Sequence, residues 1–94
     1  MSEFEKLLAA NQEAMRRVDQ VIGQRNLVLR EWASLKGKVL TAEPAPDSAL
    51  AVEFEKSRAA VRQADEDLKA ASAEVGRLTD ALAREHTKQT RSLM

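Results

Sequence analysis

The stretch Thr41-Ala42-Glu43-Pro44-Ala45-Pro46-Asp47-Ser48 decides how this chain folds. Proline lacks an amide hydrogen, fixes its own φ and drives the residue before it out of the α region. Two prolines within three residues therefore stop any helix that reaches them, and these are the only two in 94 residues. Asp47 or Ser48 then offers a side-chain oxygen to cap a new helix. Glu53 and Glu55 follow in or just after its early turns, where carboxylates suit the positive end of the helix dipole.

Both flanks of this break read as helix. Alanine, Glu, Lys, Arg, Gln and Leu supply most of the chain, while strand-forming aromatics are scarce, with no Tyr, two Phe and one Trp. Helix 1 is expected over about residues 2–40, fraying after Gly37, and the proline turn over about 41–47. Helix 2 is expected over about 48–88, followed by a flexible basic tail over 89–94. Each helix then measures roughly 55–65 Å at about 1.5 Å per residue.

A seven-residue repeat runs through both. In helix 1, Phe4, Asn11, Val18, Arg25, Trp32 and Val39 make one row, and Leu7, Ala14, Val21, Val28 and Leu35 another. Helix 2 has Phe54, Val61, Leu68, Val75 and Leu82 in one row, with Leu50, Ser57, Ala64, Ala71, Leu78 and Glu85 in the second. Two such rows sustained over five heptads are the signature of a coiled coil. Folding back at the prolines pairs residues whose numbers add to about 89. Trp32 and Arg25 then face the small residues Ser57 and Ala64, and large beside small is how facing layers reach native density. Arg25 also comes near Asp65 and Glu66, so its guanidinium can leave the seam for a carboxylate. The fold class expected is all-α: two long helices in an antiparallel coiled-coil hairpin that dimerises into a four-helix bundle.

The dimer enters because the helices are unequal. Beside its seam, helix 1 carries a third apolar row, Leu8, Met15, Ile22 and Leu29, with Leu27 nearby. A two-helix seam uses two rows, whereas helices in bundles use three. Burying four such side chains is worth roughly 6–12 kcal/mol at about 1.5–3 each before ordering costs. Leu8, Met15, Ile22, Leu27, Leu29 and Trp32 are thus the candidate partner-binding residues. The partner is expected to be another protein, a second copy, or both. Trp32 is read mainly as a core anchor whose indole N–H finds solvent or a carboxylate. Asn11 in the seam weakens the core but penalises wrong registers.

Other chemistries find little material. Fifteen basic and 15 acidic residues balance to zero, which argues against a dedicated nucleic-acid binder, although the basic tail leaves that as a minor alternative. There is no Cys and one His, His86, so a thiolate zinc site, a disulfide and a Cys nucleophile are ruled out. Asp65-Glu66-Asp67 cannot converge on one cation, because consecutive helical side chains point about 100° apart. No phosphate-binding glycine loop or hydrolase motif occurs, and Gly23, Gly37 and Gly76 are isolated. The expectation is a non-enzymatic protein-interaction module of adaptor, chaperone or inhibitor type, or alternatively a structural self-assembling coiled coil, with no cofactor, metal or small-molecule substrate. Its first residues lack a signal peptide's basic flank and apolar run, and no stretch approaches a membrane span. A cytoplasmic location is therefore expected, with signal-less secretion also compatible. In length and outline the chain resembles the small secreted helical hairpins built around a Trp-x-Gly turn. Trp32 is followed by Ala33 and Ser34, however, and the break comes a dozen residues later, so no residue of that family carries over.

Overall fold

The computed structural model describes residues 2–93. Among them the chain forms two α-helices, α1 (Glu3–Ala42) and α2 (Ala49–Leu93), which pack against each other as a hairpin. Their boundaries follow from local chemistry. The Ser2 hydroxyl accepts a hydrogen bond from the Glu5 amide at 3.1 Å, a serine cap with glutamate three residues on. Helix α1 continues through Gly37 without fraying there, and the Thr41 hydroxyl donates back to the Gly37 carbonyl at 2.9 Å. A glycine weakens a helix interior by about 1 kcal/mol but does not end it. The stop comes at Glu43, whose φ of 44° lies in the left-handed region, immediately before Pro44.

Ser48, rather than Asp47, caps α2: its hydroxyl accepts from the Ala51 amide at 3.2 Å. At the other end the expected tail is helical as far as Leu93, five residues beyond the boundary expected at Lys88. Met94 lies outside the described residues. Loss of the heptad pattern removes packing there but not helical propensity. No Gly or Pro follows Gly76, and Lys88, Gln89 and Arg91 favour helix. Thr87 and Thr90 also turn their hydroxyls back to the Ala83 and His86 carbonyls, both at 3.0 Å.

The chain divides into two compact units. The first comprises Met1–Gln20 with Lys69–Met94, and buries Asn11, Ala14, Ala71 and Leu78. Across its seam the Asn11 amide donates to the Thr79 hydroxyl at 3.2 Å. Phe4, Leu7, Val18, Val75 and Leu82 are half-buried around this core.

The second unit, Val21–Leu68, contains the proline turn and buries Val21, Leu35, Ser57 and Ala64. Arg25 leaves its seam as its neighbours suggested, its Nε donating to the Asp65 carboxylate. Trp32 stacks on Phe54 with ring centroids 6.3 Å apart and planes 21° from parallel, and the Lys36 ammonium sits 4.9 Å from the indole centroid. The expected outlet for the indole N–H is not found. Trp32 Nε1 is buried without a hydrogen-bond partner, as is the Ser57 hydroxyl. In each unit the paired residue numbers add to 86–90, close to the register read from the heptads.

Candidate interaction surface

The residues that matter here are apolar side chains that the hairpin does not cover. In the first unit Leu8 is 41% exposed and Met15 50%. In the second, Ile22 is 41% exposed and Leu29 is half-buried. Seven residues bring a helix almost back to the same side, so Leu8 and Met15 share one side of α1 in the first unit, and Ile22 and Leu29 share one side in the second. In each unit the pair borders the seam without entering it, which explains partial rather than complete exposure.

Two of the sequence candidates fall elsewhere. Leu27 precedes Leu29 by two residues, hence by about 200° around the helix, and it points away from the row at 65% exposure. Proximity in sequence suggested a grouping that helical geometry breaks. Trp32 belongs to the seam of the second unit, where Phe54 and Lys36 cover its ring.

The two flanks of the first unit differ in character. On one, Met15, Val18 and Val75 form the apolar part of a groove of about 350 Å³, completed by Asp19 and Ser72. The heptad positions place Leu8 and Thr79 farther along that flank. Asp19 and Ser72 carried no signal of their own in the sequence, since an isolated polar residue on a helix surface is ordinary. They become part of a surface only through the register. The opposite flank is a charged groove that includes Glu13, Arg17, Glu74 and Arg77. There Arg77 donates from Nε to Glu74 at 3.0 Å and again from Nη2. These hydrogen bonds hold the Glu74 carboxyl below its ordinary range and raise the Arg77 guanidinium, with charge attraction acting in the same sense. One flank is thus satisfied by its own charges and the other is greasy.

Among the described residues no group of three or more His, Cys, Asp or Glu side chains is placed to hold a metal ion. No helix there is long and apolar enough to cross a membrane. Comparison with protein-family models, curated proteins and solved structures gives no significant match.

Proposed function

We propose that this protein is a non-enzymatic interaction module that binds another helix through the α1 row Leu8, Met15, Ile22 and Leu29. One observation carries the reading: Leu8, Met15 and Ile22 recur at seven-residue spacing on one helix and each keeps 41–50% of its surface exposed. Single exposed leucines are normal on any protein. Large apolar residues repeated in helical phase are different, because that spacing matches the ridge an approaching amphipathic helix presents. A four-helix bundle with a second copy is the simplest cover, and an adaptor, chaperone or inhibitor gripping a different protein uses the same face.

The test is the double variant Ile22→Glu with Leu29→Glu. It should keep its far-UV helicity and lose association, measured both as self-association in sedimentation and as capture of host proteins. Loss of helicity together with association would assign the row to the hairpin's own core. A wild-type chain that neither self-associates nor retains any protein through this row would end the proposal.

A further inference from the structure

We infer that the occupant of the greasy flank of the first unit is a second copy of this chain, with α1 of each copy lying antiparallel along α2 of the other. This rests on the interaction reading above and goes beyond it by naming the partner.

The inference starts from levels along the helices. Asn11 reaches Thr79, and Met15 shares a groove with Ser72, which fixes the register of the unit. Asp19 lies four residues beyond Met15 on α1, and Lys69 three residues before Ser72 on α2. The two helices run in opposite directions, so both steps lead the same way, by about 6 and about 4.5 Å. Asp19 and Lys69 therefore share a level, on the outer shoulders of one flank, and both are exposed. They are not among the ion pairs formed among the described residues. Each shoulder points well away from its own seam, towards whatever lies on the flank.

A two-fold axis parallel to the helices preserves level and lays α1 of one copy on α2 of the other. Asp19 then meets Lys69 of the second copy, and symmetry makes the contact twice. A two-fold crossing the helices instead lays α1 on α1 and α2 on α2, so Asp19 no longer meets Lys69 of the second copy.

Size agrees with charge. The α2 shoulder of this unit carries Ser72, Gly76, Thr79 and Ala83, all small, and a β-carbon added at Gly76 would meet nothing within 4 Å. Leu8 and Met15 of the second copy thus find room where Lys69 and Asp19 fix the level. Every neighbouring helix pair is antiparallel in this assembly, the up-down order of simple four-helix bundles.

The experiment uses the full chain in sedimentation equilibrium, with far-UV circular dichroism as the check on folding. Wild type should be a dimer at micromolar concentration. Asp19→Lys and Lys69→Asp should each weaken it about tenfold, because each places like charges together at two symmetric contacts. The combined swap D19K/K69D should return affinity to within about twofold of wild type, as expected of a charge-complementary interface. A dimer indifferent to the single swaps, or a double swap no better than either single, overturns the arrangement. A monomeric wild type overturns the second-copy partner. If that monomer still captures a host protein through Ile22 and Leu29, the interaction reading survives alone; if it captures nothing, both fall.

Discussion

Trp32 and Ser57 occupy one layer of the seam in the second unit, and the indole nitrogen of the first and the hydroxyl of the second are both buried without a hydrogen-bond partner. Leaving a buried hydroxyl unpaired costs about 1–3 kcal/mol, whereas removing it from a small side chain costs almost no packing. Ser57→Ala should therefore stabilise the protein by about 1 kcal/mol in chemical denaturation. A loss of stability of that size would instead show that the hydroxyl has a partner in solution.

Asn11 and Thr79 show the opposite situation, a buried amide that is satisfied across the seam. Asn11→Leu should raise the denaturation midpoint by the equivalent of about 1 kcal/mol, since an apolar residue packs better in a heptad core. The same variant should lose uniqueness of register, seen as extra or broadened amide resonances for the first unit. A single sharp set of peaks would remove the register-setting role from Asn11.

Val21 and Leu27 are both apolar and six residues apart on α1, yet they should respond oppositely to charge. Val21 is 1% exposed, and Val21→Asp places a carboxylate in the tightest part of the core, at a cost of several kcal/mol, enough to unfold a small domain. Leu27→Glu should change neither helicity nor association. If Leu27→Glu dissolves the complex, Leu27 belongs to the binding surface after all.

Glu43 supplies a fourth test. Its φ of 44° is a conformation that glycine adopts freely and a residue with a β-carbon does not. Glu43→Gly should stabilise the hairpin by about 0.5–1 kcal/mol, visible as a higher Tm. A lower Tm would mean that the glutamate side chain contributes more than its backbone strain costs.

The two helices and the break between them are legible in the sequence because proline acts locally and heptad rows repeat often enough to outweigh single exceptions. The register is legible for a related reason. Trp32 and Arg25 need small residues opposite, and Ser57 and Ala64 are where the fold-back places them. The exit of Arg25 to Asp65 follows from the same count. The row Leu8, Met15, Ile22 and Leu29 can be read from spacing, but the misplacement of Leu27 shows the limit of judging by adjacency. The end of α2 is expected too early, at Lys88, because the hydrophobic pattern vanishes there, although packing and propensity are separate quantities. The orphaned indole N–H could not be foreseen, since ring orientation depends on Phe54 and Lys36 together. Asp19 and Lys69 gain meaning only once helical levels are known.

The chain holds a single tryptophan and no tyrosine, and that tryptophan has its indole nitrogen buried in the seam of the unit Val21–Leu68. Intrinsic fluorescence will accordingly follow the melting of that half alone, while circular dichroism sums over both. Superimposable thermal curves from the two signals would mean that the halves unfold together; curves that part company would time one half against the other without any label being introduced.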